Sequence, residues 1–230
     1  TTAVCSFNKS STDFIEILRT SESGIGKPMT RLHWNDVYAI DPLLQRLPRE
    51  TTEQDFLILR KLRQQPTLSE LPWLRNARGE LDQTKGKPAM RKEATRTRLI
   101  RGDHVERFTL YEAETSSLPS YVEPDALHEF VTESKFKDIA KSRIVGRQVS
   151  YMSKGRRLSF CRVEPPKVIG NSCNYLLVSD EDEPSRVRKE YALLGLLNSA
   201  VIEFFFRVFN ANNHVANYEI DDFPHCISSP

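Results

Sequence analysis

Side-chain amides cluster near the C-terminal end of the chain, where Asn212 and Asn213 precede His214. An amide offers a hydrogen-bond donor and an acceptor side by side, the pattern that reads a base edge, above all that of adenine. The apolar stretch 191–209 comes just before this loop and has helical spacing, which predicts a buried core helix. The sequence thus predicts a helix that presents hydrogen-bonding groups on a loop, which is a binding layout and not a catalytic one. The alternative is that the asparagines only cap the helix.

Three other patterns contain residue types found in catalytic sites, and each lacks what its chemistry requires. The glycine-rich turn at 24–27 does not have the full spacing of a phosphate-binding loop. At 164–167, Glu and Lys flank two prolines, whereas amino-methyltransferases place Asn, Asp or Ser before the prolines and an aromatic ring after them. Asp125, Glu133 and Lys135 have nuclease-like types, but they fall on one predicted helix, too close in sequence to converge on a metal. We therefore expect no catalytic residue on this chain.

The cysteines and histidines are not spaced as metal ligands. Zinc ligands recur at short characteristic spacings, whereas the four cysteines and five histidines are dispersed without a CxxC pair. We expect no metal site, and we expect reduced, structural thiols at Cys5, Cys161, Cys173 and Cys226.

Composition is typical of a soluble globular chain, with 39% hydrophobic and 28% charged residues among 230. No apolar run approaches the ~18 residues of a membrane span, and the first residues contain no signal-like segment. We expect a cytoplasmic protein without membrane contact, and the abrupt start suggests a piece of a longer chain.

The net charge is only +2, but the charges are segregated along the chain. Residues 85–107 hold eight Lys or Arg against three acids, and residues 135–162 hold nine against one. The intervening residues 112–133 hold six acids and no Lys or Arg. Such segregation favours a positive face that binds DNA phosphates, with ordinary solvated surface as the alternative.

Four segments carry a resemblance to a known family: 78–85 (RGELDQTK), 99–108 (LIRGDHVERF), 143–150 (RIVGRQVS) and the C-terminal stretch 193–224. In this order they resemble the C-terminal target recognition domain of TaqI-like adenine-specific DNA methyltransferases. Similar domains occur in fused restriction-modification enzymes of the Alw26I/Eco31I/Esp3I group. The resemblance implies that residues 46–230 are a DNA target recognition domain. It relates residues 1–45, an N-terminal appendage, to the tail of an absent methyltransferase domain.

The function implied by this resemblance is sequence-specific binding of double-stranded DNA, with no catalytic site and no cofactor on this chain. A methyltransferase domain in the same parent chain would flip an adenine and transfer a methyl group to it from S-adenosylmethionine. Lys and Arg contacts to phosphates would supply affinity, and contacts to base edges would supply specificity. The parent is then a prokaryotic, cytoplasmic adenine-specific methyltransferase, with or without endonuclease activity.

Eleven residues are predicted DNA contacts. Two of them, at 98 and 104, flank the turn at Gly102, where we expect a positive φ. Strand alternation places Arg147 with Val149 on one face and Gln148 on the other; the alternative is that Gln148 bonds a neighbouring loop and Arg147 pairs with an acid. Three cations in a predicted hairpin turn are flexible and reach phosphates. The full set is Arg98, Arg101, His104, Arg147, Gln148, Lys154, Arg156, Arg157, Asn212, Asn213 and His214.

The predicted fold is α+β, with a curved antiparallel sheet flanked by helices and a C-terminal apolar core helix. Helices are predicted after the capping residues Thr51 or Thr52 and from Pro124 to about residue 139. Residues 75–97 are predicted to be a loop, and Asn198 with Ser199 a buried structural pair. Predicted strands lie at 98–110 (two, around a turn), 143–152, 156–164, 167–170, 175–179 and 218–220.

Other functions remain open from the sequence. Half of a Type I specificity subunit would carry long coiled-coil heptads, and none is visible. A protein-interaction or regulatory domain would use its basic face only for solubility. An independent hydrolase or nuclease is disfavoured by the missing catalytic pattern.

Overall fold

The computed structural model describes residues 3–6, 14–21, 24–42, 44–49, 51–112 and 118–227. The chain forms two compact units. Unit 1 comprises Thr1–Pro66, Phe204–Ala211 and Pro224–Pro230, and unit 2 comprises Thr67–Glu203 and Asn212–Phe223. The predicted division into an N-terminal appendage, residues 1–45, and a recognition domain, residues 46–230, stays a prediction.

Within the described residues, unit 1 contains a three-stranded antiparallel sheet, two complete helices and the C-terminal part of a third helix, Ala200–Phe209. The strands β1 (Ala3–Ser6), β2 (Phe14–Ser21) and β3 (Gly24–His33) follow one another in space in the order of the chain. The predicted turn at 24–27 is wrong, because these residues belong to β3. Helix α1 spans Trp34–Ile40, and α2 spans Glu53–Arg63.

The start of α2 follows the predicted capping pattern. The Thr52 hydroxyl accepts a hydrogen bond from the Asp55 amide at 3.2 Å, and the Asp55 carboxylate accepts one from the Thr52 amide at 2.9 Å. This reciprocal pair satisfies two amide groups that have no partner inside the helix. Phe56 and Leu59 are buried on the apolar face of α2, so this predicted helix is confirmed.

Unit 2 contains two four-stranded sheets and confirms the α+β class. One sheet has the order β4 (Leu74–Arg78), β11 (Cys173–Val178), β8 (Arg143–Arg147), β9 (Phe160–Val163), and its pairs are antiparallel. The other has the order β10 (Lys167–Ile169), β6 (Thr97–Ile100), β7 (Tyr121–Val122), β5 (Met90–Arg91). The pair β10–β6 is parallel, so the strands of unit 2 do not form one antiparallel sheet.

The remaining helices are α3 (Glu133–Ile139), α4 (Glu183–Leu197), α5 (Ala200–Phe209) and α6 (Asn217–Asp221), with short 3₁₀ helices at Leu68–Glu70, Lys87–Ala89, Gly102–His104 and Pro124–Glu129. The predicted helix from Pro124 is therefore two helices. The strand predicted at 218–220 is wrong, since these residues lie in α6. There the Glu219 carboxylate caps the Ala216 amide at 2.8 Å, and Ile220 is buried.

The single C-terminal helix predicted for 191–209 is two helices that meet at an angle of 56°. Asn198 lies at the junction and is buried. Its side chain donates to the carbonyls of Leu194 (3.0 Å) and Phe160 (2.9 Å) and accepts from the Phe160 amide (3.0 Å). The amide thus ends α4 and joins it to β9, which confirms the predicted structural role of Asn198. Within the described residues, no single helix is both long and apolar enough to cross a bilayer, and α4 with α5 passes only as a bent pair.

Two described cysteines are structural. Cys161 and Cys173 are completely buried in one apolar cluster with Val145 and Tyr175. Burial raises the pKa of the Cys161 thiol to about 12, and it also raises the pKa of the Cys173 thiol. Both thiols are therefore protonated and unreactive at neutral pH. Cys226 is exposed, and the side chain of Cys5 lies outside the described residues.

A fully buried ion pair joins the two sheets of unit 2. Arg143 on β8 contacts the Glu80 carboxylate, and both side chains have zero exposure. The same guanidinium donates to the Lys167 carbonyl at 2.5 Å, and the second Glu80 oxygen accepts from the Ile169 amide at 2.5 Å. Since Lys167 and Ile169 belong to β10, the pair connects β8 of one sheet to β10 of the other.

We expect the Arg143–Glu80 pair to behave as a coupled unit when it is mutated. Arg143→Met leaves an unpaired buried carboxylate and Glu80→Leu an unpaired buried guanidinium, so each should lower the free energy of unfolding by about 3–5 kcal/mol. The double variant removes both charges and should lose less than either single variant, as measured by urea denaturation.

Arg188→Met is the matched control for this cycle. Its only ion pair in the described residues is the exposed one with Asp182 at 4.0 Å, and its loss should change stability by less than about 0.5 kcal/mol. A double variant that loses the sum of the two single losses would show that Arg143 and Glu80 are independent.

Candidate nucleic-acid interface

Three of the four segments that carry the family resemblance meet at the loop 170–172 of unit 2. The Ser172 hydroxyl accepts hydrogen bonds from the Gly102 amide (3.1 Å) and from the Gln83 side chain (3.0 Å). The Ser172 carbonyl accepts from the Gln148 amide at 3.0 Å. The Asn171 side-chain oxygen accepts a further hydrogen bond from Gln83 Nε2 at 3.0 Å. The loop therefore holds segments 78–85, 99–108 and 143–150 at one place.

The asparagine-rich loop joins the same place by strand-like pairing. Val149 and His214 form an isolated antiparallel bridge. The Val215 amide donates to the Gln148 carbonyl at 2.8 Å, and the Ser150 amide donates to the Asn213 carbonyl at 2.8 Å. All four segments thus contribute hydrogen-bonded residues to one region of unit 2. We call this region, which comprises residues 83, 102, 147–150, 171–172 and 213–215, the four-segment surface.

A cavity of about 410 Å³, with both polar and apolar lining, opens between these segments. Gly102 forms part of its wall and approaches the loop closely, because a Cβ there would lie 3.1 Å from the Ser172 carbonyl oxygen. The backbone of Gly102 does not have the positive φ that we expected, so it is the close approach to Ser172 and not left-handed geometry that favours a glycine there. Arg147 and Val149 both line the cavity, but β8 ends at Arg147, so the predicted strand does not extend to Val149. The side chains that line it include Gln83, Arg101, Asp103, Arg147, Val149 and Ser172.

Two predicted contacts, Arg101 and His104, point into the protein. Arg101 is 3% exposed and donates to the Pro119 carbonyl and the Asp103 carboxylate, both at 3.1 Å. His104 is completely buried, and its Nδ1 accepts from the Arg101 amide at 3.1 Å. Burial lowers the pKa of His104. These two side chains hold the turn in shape, and in this structure neither is available to a duplex.

The prediction that Arg157 is a flexible cation in a hairpin turn is wrong. Its side chain is 3% exposed, and its guanidinium donates to the carbonyls of Ser150 and Asn212. Its backbone amide donates to the Glu203 carboxylate at 2.9 Å. Arg157 thus ties the asparagine loop to the chain that leads into β9.

Arg98 and Arg147 are half-buried and already have protein partners. Arg98 donates to the Tyr121 hydroxyl at 3.1 Å and to the Glu112 carbonyl. Arg147 donates to the Val105 carbonyl at 2.8 Å and pairs with the Glu106 carboxylate at 2.7 Å. The alternative expected for Arg147, pairing with an acid, is therefore confirmed.

The other predicted residues are more accessible. Lys154, Arg156, Asn212, Asn213 and His214 are exposed. The Asn213 side-chain oxygen accepts from the Met152 amide at 3.0 Å, and that of Asn212 accepts from the His214 amide at 2.7 Å, so both amides support the loop locally.

Gln148 has the best-placed free amide. Its backbone is held on both sides by the bonds to Ser172 and Val215, and the side chain is half-exposed without a hydrogen bond to any described residue. A fixed backbone with an unengaged amide suits direct contact with a base edge. Gln83, Asn171 and Ser172 were missed as site residues, although Gln83 lies inside a quoted segment and Asn-Ser after Gly170 is a typical turn signal.

Charge counting along the sequence overstates the positive surface. In residues 135–162, Arg143 and Arg157 are buried, and Arg162 pairs with Glu190 at 2.6 Å. These cations serve the fold and contribute little potential outside it. In the two basic segments, the exposed cations without an ion pair to a described residue include Lys85, Lys87, Lys92, Arg96, Lys141 and Arg156.

No protein-family model matches the sequence, and no curated protein matches it. Within the described residues, no group of three or more His, Cys, Asp or Glu side chains is arranged to hold a metal ion.

Stability should depend on pH through His104. Because its pKa lies below the ordinary value of 6.5 in the folded state, the unfolded chain takes up the proton first as the pH falls. Stability should therefore be unaffected by this group above pH 6.5 and should decrease below it, by up to about 1.4 kcal/mol per pH unit. His104→Asn keeps an acceptor for the Arg101 amide and cannot titrate. Urea denaturation from pH 8 to 5 tests this, and parallel profiles for the two proteins would contradict it.

Proposed function

We propose that the four-segment surface is the DNA-binding face of a target recognition domain, of the kind found in adenine-specific DNA methyltransferases and fused restriction-modification enzymes. The observation that supports this most directly is that three segments are hydrogen-bonded to the loop 170–172 and that the asparagine loop pairs with residues 148–150 beside it. Segments that are far apart in sequence are held there by side-chain and backbone hydrogen bonds, which is how a fold positions a binding surface and not how it fills a core.

Gln148 is the base-reading residue in this proposal. Its amide is free of described partners and lies between the cavity wall at Arg147 and the asparagine loop at His214. An amide bonds bidentately to adenine in the major groove, and one such contact is worth about 1–3 kcal/mol of discrimination. Arg147 and His214 add donors beside it.

Affinity comes from exposed cations that contact phosphates. Arg156 and Lys154 lie with Gln148 in the connection between β8 and β9, and Lys87, Lys92 and Arg96 lie between β4 and β6. Each such contact releases counterions, so binding weakens as salt rises. The partially paired Arg98 belongs to the same group if its carbonyl contact is exchanged for a phosphate.

The chemistry is assigned to a separate methyltransferase domain of the parent chain. That domain would bind S-adenosylmethionine and methylate a flipped adenine, while the present residues position the duplex. A protein-interaction domain is the second candidate, and it is favoured by the number of arginines whose charge is used inside the fold. The two differ in one measurable property, the salt dependence of duplex binding.

We expect the 230-residue chain to bind a labelled duplex about 30 base pairs long with a log–log salt slope near −0.9 for each phosphate contact. Arg156→Ala should reduce the slope by about one unit on every sequence. Arg188→Ala removes the same charge from α4, which carries no proposed contact, and should leave the slope unchanged. Binding that is absent at low salt, or that ignores salt, would favour the interaction domain.

Gln148→Ala should act on sequence preference and not on general affinity. Selection of duplexes from a randomised pool should return a relaxed preference at one position, with a loss of about 1–3 kcal/mol on the sequence that the unmodified chain prefers. The salt slope should be the same, because no phosphate contact is lost. An unchanged selected sequence would remove Gln148 from base reading.

A further inference from the structure

The most unusual backbone in unit 2 is at an exposed phenylalanine. Phe108 has a φ of +65°, and among the described residues it shares a positive φ outside glycine only with Gln45. A bulky residue rarely adopts this conformation, because its Cβ crowds the backbone. Such strain persists where the surrounding structure enforces it, and it concentrates at functional sites.

Phe108 lies at the tip of a two-residue hairpin turn. Val105 and Leu110 form an antiparallel bridge, the Glu106 amide donates to the Thr109 carbonyl at 3.0 Å, and the Thr109 amide donates back at 3.4 Å. Arg107 and Phe108 are the two central residues. The second central position of a turn with this sign of φ is normally glycine or asparagine.

The backbone of this tip is fixed to the rest of unit 2. The Phe108 amide donates to the Phe160 carbonyl at 2.8 Å, and the Arg107 guanidinium donates to the Asn198 carbonyl at 2.8 Å. The Asn198 side chain is itself hydrogen-bonded to the backbone amide and to the backbone carbonyl of Phe160. These hydrogen bonds therefore fix the tip to β9 and to the C-terminal end of α4.

The ring of Phe108, in contrast, is more exposed than buried. Phe108 is 54% exposed, and the ring contact given by the structure is the Arg107 guanidinium at 5.6 Å from its centroid. Burial of the ring therefore does not explain why a phenylalanine occupies a glycine position. The sequence places an aromatic ring outside the protein on a strained and rigid support.

The tip also borders the four-segment surface. Glu106, two residues before Phe108, pairs with Arg147, which lines the cavity. Two further aromatic side chains from the adjoining segments are exposed, Tyr111 at 51% and Tyr151 at 61%. Through the Glu106–Arg147 ion pair, the tip is joined to the cavity wall of the proposed DNA-binding face.

From this geometry we infer that the Arg107–Phe108 tip is a wedge whose ring enters between two base pairs of the bound duplex. The inference rests on the proposed DNA-binding function and adds a contact to it. Apolar side chains that enter a base step unstack it and kink the helix, and an aromatic ring stacks on any exposed base. A rigid tip suits this role because no ordering cost is added on binding. Arg107 supplies a cation beside the opened step.

The test compares four variants of the 230-residue chain on a duplex enriched by that chain from a randomised pool. Phe108→Gly and Phe108→Asn remove the ring and tolerate the positive φ. Phe108→Leu keeps an apolar wedge. Tyr191→Ala is the control, since Tyr191 has a similar exposure of 58% on α4. Duplex affinity, thermal melting of each protein, and the fluorescence of 2-aminopurine placed at successive positions of the duplex are measured.

We expect the Gly and Asn variants to melt at or above the temperature of the unmodified chain, because the strain at residue 108 is relieved. Their duplex affinity should fall about 10-fold, and the 2-aminopurine emission that rises at one unstacked step should be lost. The Leu variant should retain a reduced rise, and the control should match the unmodified chain.

Three results would overturn the wedge. If the Gly variant binds equally well and no position shows an emission change, the wedge is wrong while salt-dependent binding leaves the proposed function intact. If the Gly and Asn variants melt at a lower temperature, the ring is structural. If the unmodified chain enriches no duplex, the proposed function fails and the wedge with it, and a protein partner becomes the occupant to seek.

Discussion

The buried pair between Arg143 and Glu80 is the constraint on which the arrangement of unit 2 depends. A buried charge is tolerated only when it is paired and its remaining hydrogen-bonding groups are satisfied. Arg143 is paired with Glu80 and donates to the Lys167 carbonyl, and Glu80 also accepts from the Ile169 amide. Among the described residues, the Nε of Arg143 is the one donor of this pair that has no hydrogen-bond partner. The requirement fixes β8, β10 and the segment after β4 against one another more specifically than apolar contact alone.

The four-segment surface follows from that constraint. Ile169 precedes the loop whose Ser172 collects the bonds from Gly102, Gln83 and Gln148. Gly79, beside Glu80, lies so close to this strand that an added Cβ would be 2.1 Å from the Gly170 carbonyl oxygen. No side chain fits at position 79, which explains why the Arg-Gly-Glu sequence contains a glycine there. The ion pair and the glycine contact together place the loop before any ligand arrives.

Arginine side chains occupy two kinds of position in this protein, buried inside the fold and exposed at its surface. Arg101, Arg143 and Arg157 are buried, and their donors bind carbonyl oxygens and carboxylates inside the fold. The planar guanidinium, with five donors, suits this bridging role. Exposed cations such as Arg156 remain for solution-facing contacts. The local charge of a sequence segment is therefore a poor measure of surface potential in an arginine-rich domain.

Some local features could be predicted from the sequence because they depend on neighbours along the chain. The Thr52–Asp55 cap involves residues three positions apart, and the α+β class follows from apolar periodicity. The structural role of Asn198 was also predictable, because a single amide in an apolar stretch needs buried partners. The bend at Asn198 was not, since its partner Phe160 is 38 residues away.

Only the tertiary structure decided which of the polar residues are exposed at the surface. Arg101, His104 and Arg157 have the same residue types as true surface contacts, yet the fold buries them. The Tyr-Glu-Ile sequence favours a strand, yet these residues form helix α6. The helix is stabilised because Glu219 caps it and Ile220 is buried. The sequence by itself determined the fold class, the helix cap and the four segments of interest. Tertiary structure decided which of their side chains are available, because burial and hydrogen-bond partners are set by residues distant in the chain.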